Sequence, residues 1–161
     1  MLISTEMNRR FNEEIGRELH ASHQYMNMAG YFDGLALKLL SKMFLEQAAE
    51  ERDHAMKFVN YILSTGGTLE VPAIEASKAQ FKSVEEAIQL ALNWELQITR
   101  YINDLMSAAV DEKDYAAQDF LRWFVTEQVE EVATMEELLK VVQMVTDRQI
   151  IMVEAYLVHN K

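Results

Sequence analysis

The chain has 161 residues, half of them hydrophobic, and its 15 Lys and Arg against 26 Asp and Glu give a formal net charge of −11. This acidic excess argues against nucleic acid or anionic lipid as the main partner, whereas it is compatible with metal cations. Because the chain has no cysteine, disulfides and thiolate metal sites are excluded. No apolar run approaches the ~18 residues that span a bilayer, and no secretion signal is visible, so we expect a cytoplasmic protein without a membrane partner.

The first half of the chain predicts two long helices that are joined tightly. Five glycines and one proline are the only strong helix breakers in the sequence. Apolar residues recur at helical spacing up to the helix stop at Asp33 and Gly34, and then again up to the stop at Gly66 and Gly67. Because the connection between these two helices is short, we expect them to be antiparallel.

The second half predicts two more long helices and a short one. Ser83 and Glu86 match a capping box, in which each side chain bonds the other residue's free backbone N–H. Thr146 and Gln149 repeat the pattern and are predicted to open the last helix. The predicted helices of the whole chain span about residues 5–32, 35–64, 84–111, 114–145 and 147–158.

A long non-periodic stretch over residues 68–82, which holds the only proline, separates the second and third helices. A helix of about 29 residues is ~43 Å long, and about sixteen extended residues reach ~50 Å. The connector can therefore run the length of the bundle and make these two helices parallel. One long crossover is typical of ferritin-like folds. We predict an all-α fold, a ferritin-like four-helix bundle with a short fifth C-terminal helix, forming a single domain over residues 1–161.

Each long helix places one glutamate inside its apolar stripe. Residues seven apart lie on nearly the same helix face, and apolar residues stand seven before and seven after each of these glutamates. The four glutamates are Glu18, Glu51, Glu95 and Glu131. Burying one ionised carboxylate costs several kcal/mol, and four at one level would repel strongly unless cations lay between them.

His54 adds a nitrogen ligand to this set. It follows Glu51 by three residues, so the two side chains share a helix face with the Glu-x-x-His spacing of di-iron carboxylate bundles. A lone Glu-x-x-His motif is more often a solvated helix face, and it is the coincidence on four helices that indicates a metal site. Oxygen and imidazole ligands without thiolate favour iron or manganese over structural zinc.

Along essentially its whole length the chain resembles the non-haem bacterial ferritins. The resemblance rests on Glu18 with Tyr25, the run from Glu50 to His54, Glu95, and most specifically the run from Phe120 to Glu131. It implies a ferroxidase for iron storage and detoxification, which oxidises Fe(II) with O2 or H2O2. It also implies that 24 identical subunits form a hollow cage in which ferric mineral is deposited.

The resemblance also implies the roles of individual residues. A first iron site would take Glu18, Glu51 and His54, and a second site Glu51 as a bridge with Glu95 and Glu131. Gln128 and Tyr25 would lie beside the iron pair, and Gln128 would be a further metal-binding residue. A third, cavity-side iron would take Glu50, Glu127 and Glu130. Trp123 matches a tryptophan near the pair.

Departures from related families limit the alternatives. Bacterioferritins and rubrerythrins carry two Glu-x-x-His motifs, whereas this chain has one, and Arg52 occupies the place of the bacterioferritin haem methionine, so no haem is expected. Val132 stands where relatives often continue the acidic run, which would weaken the third iron site.

Three other functions remain open at this point. The missing second histidine disfavours a di-iron oxidase or oxygenase acting on an organic substrate. A ligand set within one chain and a fifth helix disfavour a small DNA-protecting ferritin. The carboxylates within the apolar stripes disfavour a purely structural bundle.

Overall fold

The computed structural model describes residues 1–160, which form five α-helices and a short 3-10 turn. The helices are α1 (Thr5–Gly34), α2 (Lys38–Ser64), α3 (Val84–Asp111), α4 (Tyr115–Gln143) and α5 (Met152–His159), and the 3-10 turn spans Asp147–Gln149. No strand occurs in this part of the chain, so the all-α prediction is confirmed. None of these helices is long and apolar enough to cross a membrane. Lys161 lies outside the described residues, and a single domain over 1–161 stays a prediction.

Contacts between helices give the topology. Phe11 packs edge-on against Phe58, and Tyr25 against Phe44, so α1 and α2 are antiparallel. The hydrogen bonds that join α3 to α4 run in the same antiparallel sense, namely Gln128 to Glu95 and Gln143 to Glu85. The long connector between α2 and α3 then completes the predicted four-helix bundle with one crossover.

The crossover is held against α1 by side-chain amides, although its sequence has no helix or strand periodicity. The Asn12 amide accepts from the Glu70 N–H at 2.7 Å and donates to the Thr68 carbonyl at 2.9 Å. The Gln24 amide binds the Lys78 backbone in the same way: it donates to the Lys78 carbonyl at 2.7 Å and accepts from the Lys78 N–H at 2.9 Å. An extended backbone normally satisfies its N–H and C=O groups by pairing with a neighbouring strand. Here the side-chain amides of Asn12 and Gln24 bind some of these groups instead.

The turn between α1 and α2 lies later than predicted. The predicted stop residues Asp33 and Gly34 are still helical, and Ala36 adopts the left-handed conformation with φ of 62°. The Leu37 N–H then bonds back to the Phe32 carbonyl, and Leu37 enters the core with 1% of its surface exposed. The left-handed position of this turn is therefore occupied by Ala36 and not by Gly34, and Leu37 is buried beside it.

The two predicted capping boxes have different outcomes. Ser83 Oγ accepts from the Glu86 N–H at 3.0 Å, as predicted, but the Glu86 carboxylate accepts from the Lys82 N–H and not from Ser83. The box at Thr146 was wrong, because this side chain makes no capping bond and only a 3-10 turn follows it. Helix α5 begins at Met152, later than the predicted residue 147, and α4 ends at Gln143, before the predicted residue 145.

The hydrophobic core has two halves. One half is built around aromatic and aliphatic side chains such as Phe32, Phe44 and Ile88, and the other around Phe11, Phe58 and Phe124. A layer of buried polar side chains lies at the level between them: Glu18, Glu51, His54, Glu95, Gln128 and Glu131. The fold thus brings the predicted carboxylates into the interior of the bundle.

Candidate metal centre

The four predicted glutamates meet in the middle of the bundle, one from each long helix, and none exposes more than 4% of its surface. They form two groups that could hold a metal ion: Glu18, Glu51 and His54, and Glu51, Glu95 and Glu131. Within each group, one ligand atom from each residue lies within 4.8 Å of the others. Glu51 belongs to both groups, as a bridging ligand would.

Several ligand atoms in this layer have no hydrogen-bond partner within residues 1–160. These buried atoms are both carboxylate oxygens of Glu18, Oε1 of Glu51 and Nδ1 of His54. The His54 Nδ1 atom lies 3.3 Å from Glu51 Oε2 and 3.8 Å from Glu18 Oε2. An unsatisfied buried polar atom is costly, and carboxylate and imidazole together suit iron, so this donor set fits a pair of bound cations.

Burial sets the protonation of the layer. It raises the pKa of all four glutamates, well above 4.5 for Glu18 and Glu51, and the pKa of Glu131 rises to about 8 with a further contribution from the Glu95 charge. Burial alone would lower the pKa of His54, but the close Glu51 carboxylate, 3.3 Å from Nδ1, and the other surrounding carboxylates raise it. Cations that bind here must therefore displace protons, and their binding weakens as the pH falls.

Tyr25 and Gln128 both contact Glu95. The buried Tyr25 hydroxyl donates to Glu95 Oε1, and the Gln128 amide nitrogen donates to Glu95 Oε2 at 3.2 Å. Gln128 also donates to the Thr99 hydroxyl at 3.2 Å, a contact that the sequence did not suggest. These bonds fix the orientation of the Glu95 carboxylate, whereas direct metal ligation by Gln128 stays a prediction.

The residues predicted for a third iron are distributed differently. Glu127 is half-buried and forms a third possible metal-holding group with His54 and Glu131. Glu50 and Glu130 are exposed and take part in none of the three groups found in the described chain. The group with Glu127 shares His54 and Glu131 with the two groups above, so a third iron site of Glu50, Glu127 and Glu130 stays a prediction.

Trp123 packs against the layer from its edge. Its ring meets the His54 ring edge-on, with centroids 5.4 Å apart, and 41% of the side chain remains exposed. Lys57 covers part of the Trp123 ring at 4.2 Å. The tryptophan therefore lies beside the histidine and not within the core.

Glu14 is a fifth buried carboxylate that sequence analysis missed. Its Oε2 accepts from Arg17 Nη1 at 2.8 Å, whereas its Oε1 has no partner in the described residues, and burial raises its pKa to about 7. The signal was present in the sequence, because Met7 and Ala21 stand seven residues before and after Glu14. The same test that found Glu18 would have found Glu14.

Four helices around a buried layer of carboxylates and one histidine define a class of proteins, the helical bundles with an internal carboxylate metal centre. The family described as ferritin-like domain matches residues 9–145, which is most of the chain. The chain belongs to the ferritin family.

Relatives with assigned names agree with this membership. Ferritin BfrB of Mycolicibacterium smegmatis is 40% identical over 139 residues, covering 86% of this chain and 77% of the relative. A bacterial non-heme ferritin of Staphylococcus aureus is 38% identical over 135 residues, covering 84% and 81%. An open pore ferritin from the hyperthermophilic archaeon Archaeoglobus fulgidus superposes with a TM-score of 0.93 at 31% identity, covering 97% of this chain and 96% of that one. The predicted resemblance to non-haem bacterial ferritins is confirmed.

Proposed function

We propose that this protein is an iron-storage ferroxidase, which binds two Fe(II) ions as a pair, oxidises them and deposits the Fe(III) as mineral. Two ligand groups that overlap at Glu51 support this function, because one carboxylate can then hold both ions at once. The ligands would be Glu18, Glu51 and His54 for one ion, and Glu51, Glu95 and Glu131 for the other. Iron is here the substrate and the cargo of the protein.

The reaction balances with dioxygen as the oxidant. Two Fe(II) ions each lose one electron, and O2 takes up these two electrons and two protons to give H2O2. Anionic ligands stabilise the higher charge of Fe(III) over Fe(II) and so favour oxidation. The raised pKa values of Glu51 and Glu131 mean that these carboxyls release protons when iron binds. Tyr25 holds the Glu95 carboxylate in place through its hydroxyl.

We propose further that 24 copies of the chain form a hollow cage without haem. Large apolar side chains remain exposed on the single subunit, among them Leu2, Met144, Tyr115 and Val129, each with at least 70% of its surface free. Where such side chains form contiguous patches, association commonly covers them. Arg52 at the place of the haem methionine supports the absence of haem, and a Soret band at one haem per subunit pair in the purified protein would contradict it.

The Glu51→Ala variant tests the ferroxidase function. Loss of the shared ligand leaves two incomplete groups, so we expect Fe(II) oxidation in a stopped-flow assay to slow at least about ten-fold, which corresponds to ~1.4 kcal/mol of transition-state stabilisation. The matched control is Asp53→Ala, since Asp53 lies two residues away on α2 but is exposed. It should oxidise iron at the rate of the parent.

Electron microscopy of both variants after aerobic iron loading adds an independent measurement. The parent and the Asp53 variant should show cages filled with mineral, and the Glu51 variant cages that fill slowly. Equal oxidation rates in the Glu51 variant and the parent would remove Glu51 from the site and refute the proposed di-iron chemistry.

A further inference from the structure

The buried Glu14 forms an ion pair with the partly exposed Arg17 one helical turn from the candidate metal centre. Glu14 has no exposed surface, and only its Oε2 is bonded, at 2.8 Å to Arg17 Nη1. Its Oε1 atom is buried and has no partner in residues 1–160. Glu14 and Glu18 are four residues apart on α1, so their side chains lie on the same face as neighbours. Glu14 thus continues the row of carboxylates beyond the ligands assigned above.

Arg17 connects this buried carboxylate to an open cavity. A cavity of about 350 Å³ lies between α1, the crossover and α3, and Arg17 is one of its lining residues together with Glu13, His20, Glu75 and Trp94. The guanidinium group of Arg17 lies 3.6 Å from the centre of the Tyr101 ring, and 27% of the Arg17 side chain is exposed. Arg17 therefore reaches from the cavity wall to the Glu14 carboxylate.

We propose that this cavity is an entry route for divalent cations. In this route the Arg17 side chain blocks access to Glu14 until it moves away, and Glu14 then passes the cation to Glu18. The proposal rests on the proposed function in taking Glu18 as an iron ligand. When the partly exposed Arg17 side chain rotates towards solvent, the Glu14 carboxylate is left without its cation and attracts another. The unpartnered Oε1 atom of Glu14 supplies the second oxygen for this transient ligation.

The chemistry of the lining suits such a route. Glu13 and Glu75 place carboxylates at the cavity, and these favour the accumulation of cations over anions. An ion pair that served only to neutralise Glu14 would satisfy the same Arg17 contact but would have no effect on how fast metal arrives. The rate of metal association therefore distinguishes a route from a purely structural pair.

The test uses Co(II), which is not oxidised by O2 and whose visible absorption changes on ligation, added to the metal-free assembled protein in a stopped-flow instrument. Glu14→Gln keeps the size of the side chain and an acceptor for Arg17 but removes the charge, and we expect Co(II) association to slow at least five-fold. Arg17→Gln removes the blocking guanidinium group and should accelerate Co(II) association at least three-fold. Glu6→Gln is the matched control, because it removes the same charge from an exposed residue of α1 that is not part of the cavity lining. It should change the rate less than two-fold.

An association rate of the Glu14 variant within two-fold of the parent overturns the route, whatever happens to the affinity. Equal slowing in the Glu6 and Glu14 variants also overturns it, since general surface charge would then explain both. A parent protein that binds Co(II) and oxidises Fe(II) while the Glu14 variant is unchanged refutes the route alone. A parent protein that binds no Co(II) refutes the ligand set of the proposed function as well.

Discussion

Glu14→Gln should make the metal-free protein more stable at high pH but not at low pH. In the parent, burial raises the pKa of Glu14 to about 7, against an ordinary value of 4.5, although Arg17 partly opposes this shift. The folded state therefore keeps a proton that the unfolded chain has lost, so stability falls as the pH rises from about 4.5 to about 7. At about 1.36 kcal/mol for each pH unit between these two pKa values, the loss of stability is roughly 3 kcal/mol per subunit.

Glutamine cannot ionise, so the variant avoids this loss. Urea unfolding of the metal-free parent and variant at pH 5 and pH 8 measures the effect, and the quantity of interest is the difference between the two proteins at each pH. Contributions from assembly and from the other buried carboxyls are common to both proteins and cancel to first order. We expect little difference at pH 5 and a gain of about 2–3 kcal/mol at pH 8.

Glu6→Gln serves as the control, because hydrogen bonds from Arg9 and Arg10 lower the pKa of this exposed carboxyl to about 2, so it is ionised at both pH values. Its stability difference from the parent should be nearly the same at both pH values. If the Glu14 variant also showed the same difference at pH 5 and pH 8, Glu14 would be ionised in the folded protein with an ordinary pKa, and burial would not control its protonation.

Two further substitutions test how the crossover and α5 are attached. Gly16→Ala would place a Cβ atom 2.5 Å from Pro72 Cγ on the crossover, so we expect thermal unfolding to show a loss of stability of about 1–3 kcal/mol. The control Gly30→Ala has nothing within 4 Å of its added Cβ atom and should gain up to about 1 kcal/mol of stability. Equal melting temperatures for both variants would contradict the close packing at Gly16. Glu154→Ala removes a carboxylate on α5 that accepts from two backbone N–H groups in the first turn of α2 at 2.8 and 3.0 Å. We expect a loss of about 1 kcal/mol and faster proteolysis between α4 and α5, and an unchanged cleavage rate would show that this cap does not hold α5.

Much of the fold follows from local sequence. Helical periodicity predicted the four long helices, and α3 begins at the predicted Val84 because Ser83 caps it through a bond that depends only on neighbouring residues. Connection lengths predicted the topology, since a short turn forces antiparallel neighbours and a long connector permits a crossover. The turn at Ala36 and the late start of α5 could not be predicted in this way. Those boundaries coincide with the burial of Leu37 and Val153, which depends on helices far away in the chain.

The candidate site was predicted because a charged residue within an apolar stripe is a local signal. Glu18, Glu51, Glu95 and Glu131 each carry that signal in their own helix, and an apolar stripe faces the interior of a bundle wherever the other helices lie. The sequence by itself therefore determined that four carboxylates and His54 would be drawn inwards. It would also have indicated Glu14, had the same test been applied there.

Only the tertiary structure decided which atoms meet. The pairing of Glu127 with His54 and Glu131, and the bonds of Gln128 to Glu95 and Thr99, depend on the rotation of each helix about its axis. The cap that Glu154 provides for α2 joins residues more than a hundred positions apart. A helical pattern fixes which side of a helix is buried, but the depth and register at which two buried sides meet arise from packing over the whole bundle. Such long-range contacts have no local sequence signal.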